Sequence, residues 1–157
     1  MSNMINIAMI CDEKFICLTK TCIRSIIANK KNNTLYHFYI IGVEISKQTI
    51  QEFQNLEQPN VVITILIKNN DYENIGQLKH RVSKAALFKF QLSALIPTDK
   101  VLYLDGDIIA SDDLGELYHT DISETMRPWL LTGLQKSEKK TISDYCIATI
   151  SIQGLSC

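Results

Sequence analysis

The sequence predicts an α/β fold: a Rossmann-like, mostly parallel sheet with flanking helices. Three observations carry this. Short apolar runs of strand length recur along the chain, helically spaced apolar residues separate them, and caps or breakers mark the junctions. Residues 4–10 (M-I-N-I-A-M-I) read as a buried first strand, which Asp12, Glu13 and Lys14 interrupt. From Phe15 to Asn29, Ile16, Leu18, Cys22, Ile23, Ile26 and Ile27 recur at helical spacing. Residues 35–43 (L-Y-H-F-Y-I-I-G-V) form a second β-rich run. Ser46 then sets an N-cap pattern for a helix to about Leu56, with Ile50 and Phe53 inward. Pro59-Asn60 is a breaker, and residues 61–67 (V-V-I-T-I-L-I) are the third strand.

Residues 68–81 are polar and irregular, and read as a loop. Ser83 caps a further helix, Lys84 to about Leu95, which Pro97 stops. The fourth strand, residues 101–104 (V-L-Y-L), runs directly into Asp105-Gly106-Asp107.

Composition bounds the function. At 157 residues the chain suits one domain. With 16 basic and 17 acidic side chains, it lacks the basic surface that nucleic-acid binding needs. No apolar run approaches the roughly 18 residues of a membrane span, and the N-terminus has no secretory pattern. The five cysteines (Cys11, Cys17, Cys22, Cys146, Cys157) are an odd number, which predicts free thiols in a reducing compartment. Cys17 and Cys22 sit on different faces of a helix, so a zinc pair is not expected there.

In open parallel sheets, ligands bind beyond the carboxyl ends of the strands. Two charged clusters fall there: residues 12–14 after the first strand and residues 105–107 after the fourth. No G-x-G-x-x-G or Walker loop follows the first strand, which disfavours that mode of phosphate binding. In an extended segment Asp105 and Asp107 share a face, and Gly106 leaves the backbone free to turn. Two convergent carboxylates suit a hard divalent cation such as Mn²⁺ or Mg²⁺, which aids the departure of a diphosphate. The tripeptide alone also fits a solvated turn; the hydrophobic strand leading into it favours the metal. A D-x-D after such a strand also opens aspartyl-phosphate phosphohydrolase sites, with Asp105 as nucleophile. Three preceding βα units and the lack of a Thr after Asp107 disfavour that alternative.

Residues 5–15 (I-N-I-A-M-I-C-D-E-K-F), 81–90 (R-V-S-K-A-A-L-F-K-F) and above all 99–117 (D-K-V-L-Y-L-D-G-D-I-I-A-S-D-D-L-G-E-L) resemble glycosyltransferase family 8. These are the retaining, nucleotide-sugar-dependent enzymes that include lipopolysaccharide galactosyl- and glucosyltransferases. The resemblance covers residues 4–125. It implies the nucleotide-sugar-binding half of a glycosyltransferase A-type fold, with residues 1–125 as that domain. It implies a metal, Mn²⁺ or Mg²⁺, on Asp105 and Asp107, with Asp105 and Gly106 also touching the nucleotide. Asp12 matches the acidic residue that bonds the uracil; the segment Asp12–Cys17, with Glu13, Lys14 and Phe15, would wall the uridine, and Ser83 and Lys89 belong to the donor site. The family usually has Asn where Lys14 stands and Arg where Lys89 stands; lysine offers a point charge in place of a planar fork. None of His37, His80 and His119 falls at the family's ligand position, so each is expected to be structural or on the surface, although His80 with Lys79 and Arg81 suits a diphosphate.

The implied reaction moves a hexose from UDP-galactose or UDP-glucose to a glycan or lipid-linked acceptor, in the cytoplasm or at the inner membrane's surface in the full-length protein. The alternative is a residual nucleotide-binding module or an inactive product. Residues 126–157 lack the Tyr-Phe-Asn-Ser-Gly strand of the family and its C-terminal His ligand. Regrouping permitted codons for residues 144–157 by one base yields Tyr-Phe-Asn-Ser-Gly in order, so this tail is expected to be a frameshifted, non-native segment without a packing partner, and the chain an impaired enzyme.

Overall fold

The computed structural model describes residues 4–69, 84–120 and 146–150. At its centre lies β1 (Met4–Asp12), which buries Ile5, Ile7 and Met9 on one face and Ala8 on the other, all with 0% exposure. A strand apolar on both faces must be covered on both, as parallel sheets are. β1 pairs in parallel with β2 (Leu35–Val43) on one side and with β4 (Lys100–Leu104) on the other. β3 (Val61–Lys68) extends the sheet beyond β2, so that the four strands read β3-β2-β1-β4.

Two helices cover the first face. α1 (Ile16–Asn29) turns Thr19, Cys22, Ile23 and Ile26 inward at the i, i+3, i+4, i+7 spacing of one helical face. α2 (Lys47–Gln54) starts where Ser46 accepts a hydrogen bond from the Thr49 N–H at 3.2 Å, the cap expected there, and it buries Phe53. The chain leaves α2 through the Pro59-Asn60 turn, where Asn60 adopts φ 67°, a conformation that Asn tolerates. Facing these helices are Tyr36, Phe38, Ile40, Leu102 and Leu104.

The second face carries Tyr39, Ile41, Val43, Val101 and Tyr103 under Phe88, Leu92 and Ile96. Here the winding differs from expectation. Lys84–Gln91 is a 3-10 helix, and only α3 (Leu92–Leu95) is α-helical. Phe88 is buried from the 3-10 part, and the chain passes to α winding only at Leu92, which with Ile96 completes the cover of this face. Ile96 is extended, as a residue before proline must be, and this ends the helix at Pro97.

Beyond β4 the chain runs back along α1 toward the amino edge of the sheet. The Ala110 N–H donates to Ser25 Oγ at 2.9 Å, and Asn29 Nδ2 donates to the Ala110 carbonyl at 3.0 Å. Asp113 then accepts from the N–H groups of Lys31 (2.9 Å) and Gly115 (2.8 Å) and from the Tyr36 hydroxyl (3.1 Å). α4 (Gly115–His119), which has no counterpart among the expected elements, ends the segment. The Tyr118 hydroxyl donates to the Lys100 carbonyl at 2.8 Å beside Asn6.

The expectation that residues beyond 126 have no packing partner does not hold throughout. Backbone of β5 (Cys146–Ile150) forms a fifth parallel strand beside β4, from Lys100↔Cys146 to Leu104↔Ile150. Its C-I-A-T-I run is rich in β-branched residues, and β4 offers it a ladder of unpaired backbone groups. The remainder of the tail lies outside the described residues.

Phe38→Ala should cost about 3–5 kcal/mol of unfolding free energy, because it opens a cavity in the first core. For Asp113, burial opposes the charge, but the Lys31 and Gly115 amides and the Thr34 and Tyr36 hydroxyls outweigh it and hold the carboxyl below the usual range. Its contribution is therefore complete above the ordinary carboxylate pKa of about 4 and lost as pH falls through the lowered value. Urea midpoints of the wild type and Asp113→Asn should differ at pH 7, and the gap should narrow as pH falls below about 4; a constant gap would contradict this.

Candidate active site

The strand order places β2 and β3 on one side of β1 and β4 on the other. The crevice at this reversal lies beyond the carboxyl ends of β1 and β4, and these end in Asp12 and in the residues before Asp105. Both charged clusters picked out from the sequence therefore border one crevice.

Residues after β1 form a tight turn. Asp12 Oδ1 accepts from the Lys14 N–H at 3.0 Å, and the Asp12 carbonyl accepts from the Phe15 N–H at 3.1 Å. This carboxylate-capped turn delivers the chain into α1 and leaves Lys14 and Phe15 exposed, the Phe15 ring by 46%. Glu13 points elsewhere. Its carboxylate accepts from the Ser46 N–H at 3.1 Å and from Thr49 Oγ1 at 3.0 Å, which straps the turn to the first residues of α2.

β4 stops at Leu104, so Asp105 follows the strand and Gly106-Asp107 form a turn, where an extended segment was expected. Asp105 is half-buried and Asp107 exposed. Gly106 lies against α1 so closely that a Cβ built on it would stand 2.5 Å from Thr19 Oγ1 and 3.3 Å from Thr19 Cα. The Tyr103 hydroxyl donates to Asp105 Oδ1 at 2.7 Å. Burial chiefly, and then the charge of Asp107, pushes the Cys22 thiol up to about 12; burial pushes Cys11 up to about 11. Both thiols are buried packing groups; of Cys17 and Cys22, which the sequence reads as buried small hydrophobes, only Cys22 is buried, because Cys17 lies on an exposed face of α1.

Lys89 stands in the 3-10 helix with its ammonium 5.8 Å from the Phe90 ring centroid, and it makes no ion pair with Asp105 or Asp107. Ser83 and His80 lie outside the described residues. His37 accepts its expected structural role: it stacks on Tyr39 at 4.1 Å and meets Thr64 Oγ1 at 2.8 Å, and burial lowers its pKa. His119 packs edge-on to Tyr118.

Sequence reasoning missed Tyr103, Thr19 and the partner of Glu13. A signal existed for Tyr103, because residues two apart on a strand share a face. Thr19 and Thr49 gave none, since only tertiary packing brings them to the site.

Gly106→Ala should lose about 1–3 kcal/mol of stability through overpacking against Thr19. Combining it with Thr19→Ala, which removes the nearest atom, should recover part of that loss. Additive losses in the double variant would show that the two residues do not share this contact.

Comparison with known proteins agrees with this architecture. The model of glycosyl transferase family 8 matches residues 6–147. The chain is 27% identical over 146 residues to the lipopolysaccharide 1,2-glucosyltransferase of Escherichia coli, covering 90% of this chain and 42% of that protein. It is 25% identical over 119 residues to the glycosyltransferase GlyF of Streptococcus pneumoniae, covering 74% and 29%. Among solved structures, the galactosyltransferase LgtC in complex with donor and acceptor sugar analogues superposes with a TM-score of 0.66 at 23% identity, covering 75% of this chain and 43% of LgtC. WbbM, a bifunctional glycosyltransferase, gives 0.61 at 20% identity, covering 75% and 21%. The chain spans less than half the length of each of these relatives. With a family model matched across residues 6–147, over a parallel sheet whose switch point carries Asp12 and Asp105-Gly106-Asp107, the chain belongs to glycosyl transferase family 8.

Proposed function

We propose that this chain forms the donor-binding part of a metal-dependent hexosyltransferase, which moves a sugar from a UDP-sugar to a hydroxyl of a glycan or lipid-linked acceptor. The observation that carries the reading is the meeting of Asp12 with Asp105-Gly106-Asp107 at the switch point of the sheet, in a family 8 chain. The lipopolysaccharide 1,2-glucosyltransferase relative supports a lipopolysaccharide-type acceptor and a glucose donor; the LgtC likeness supports the fold.

The donor set suits Mn²⁺ or Mg²⁺. Asp105 and Asp107 are hard oxygen ligands on a turn held by α1, and one of Asp105's oxygens is already oriented by Tyr103. Among the described residues no cluster of three or more acidic, histidine or cysteine side chains forms a closed cage. A cage is not required, since such ions take one or two carboxylates and fill their other positions with water and phosphate oxygens. When bound, the metal supplies positive charge that neutralises the oxygens of the departing diphosphate.

The protein's own residues bind and orient. Asp12, fixed by its turn, accepts an N–H of the base, and the exposed Phe15 ring walls the uridine. Lys14 sets a point charge toward a phosphate or hydroxyl, and Ser83 and Lys89 complete the donor side. Glu13 contributes through its grip on α2, which keeps the Asp12 turn from drifting.

Titration of the chain with UDP, with and without Mn²⁺, tests the reading. Mn²⁺ should raise UDP affinity in the wild type, and Asp105→Asn or Asp107→Asn should reduce that gain about tenfold or more. Asp12→Asn should weaken UDP binding in both conditions. UDP affinity indifferent to Mn²⁺ in the wild type would overturn the proposal.

A further inference from the structure

The two ends of Tyr103 serve different parts of the molecule. Its ring is 4% exposed and belongs to the core of the second sheet face, among Phe88, Leu92, Ile96 and Val101. Its hydroxyl leaves that core at the carboxyl edge of β4 and donates to Asp105 Oδ1 at 2.7 Å. That is an ordinary length for an O–H···O hydrogen bond. Leu102 and Leu104, on either side of Tyr103, face the first core, so the strand's alternation directs Tyr103 and Asp105 to the same side.

We infer that Tyr103 is a positioning residue, which pins the rotamer of Asp105 from the buried side and leaves Oδ2 as the oxygen presented to the metal. The inference rests on the function proposed above. A carboxylate at the end of a strand, with Asp107 exposed two residues on, otherwise rotates freely about its terminal torsion and loses entropy on binding an ion. A donor mounted on a packed ring removes that freedom in advance, and it occupies one oxygen, so that Asp105 binds through a single oxygen. A phenylalanine at this position fills the same space and pins nothing.

The test uses Tyr103→Phe in the full 157-residue chain. Mn²⁺ binding in the presence of UDP is measured from the electron paramagnetic resonance signal of free Mn²⁺, alongside UDP affinity without metal and the thermal midpoint. We expect the Mn²⁺ dissociation constant to rise about tenfold, within the range seen when an outer partner of a metal ligand is lost. Metal-free UDP affinity should stay unchanged, which a general loosening of the fold would not allow. In the Asp105→Asn background, Tyr103→Phe should have no further effect. Equal Mn²⁺ affinity in the wild type and Tyr103→Phe, with Asp105→Asn weakened, overturns the role of Tyr103 and leaves the metal site standing. No Mn²⁺ binding by the wild type overturns both. Should Tyr103→Phe fail to fold, proton NMR of the wild type decides: a hydroxyl resonance protected from water exchange and lost in Asp105→Ala supports the contact, and its absence overturns it.

Discussion

Gly106 rests on Thr19 with no room for a side chain between them, and that close approach holds the turn between the two aspartates against α1. A turn at a sheet edge has few neighbours of its own to hold it. Here it borrows the rigidity of α1, whose Cys22, Ile23 and Ile26 are sealed in the first core. The same helix begins with the turn that carries Asp12. One element thus sets the spacing between the two halves of the site, and a shift of α1 moves both together.

The backbone after Asp107 is fastened by polar bonds more than by apolar burial. Ser25 and Asn29 of α1 take Ala110, the Lys31 amide and Tyr36 take Asp113, and Asn6 and Lys100 take Tyr118. Each bond satisfies a group that folding withdraws from water, so the set is costly to break singly. Because the bonds span from the carboxyl edge to the amino edge, they stretch the segment along α1 and keep the Gly106 turn pressed against it. The motif D-L-G-E-L at residues 113–117 is in this light a clasp.

Much of this was legible. The four strand runs and both first-face helices declared themselves by apolar period and breakers, and β2 matches its expected bounds residue for residue. The two charged clusters stood out because each follows a strand, but the strand order that brings them to one edge comes from the structure. Other features stayed hidden for definite reasons. The 3-10 winding of Lys84–Gln91 is not encoded in a periodicity that short. α4 has only five residues and holds its place through Tyr118, a contact about 112 residues away from Asn6 in sequence. Glu13 looks like a site residue because it neighbours Asp12, yet its partners are Ser46 and Thr49 at the start of α2, a tertiary contact that no local pattern announces. The seat beside β4 is filled by C-I-A-T-I, a run that is plainly β-forming but sits in a stretch set aside on grounds of motif.

The order of the strands also has a consequence in time. β1 finds β2 across about 31 residues (Met4 to Leu35), but meets β4 only across about 95 (Ile7 to Leu102). Closing the longer loop costs about 1 kcal/mol more chain entropy, and pairings so distant in sequence come late in folding. The ladder between β1 and β4 is the one that brings Asp12 and Asp105 to a common edge. During synthesis, a three-stranded half carrying the Asp12 turn precedes β4, so the juxtaposition of the two charged clusters comes only after that half of the sheet has been made.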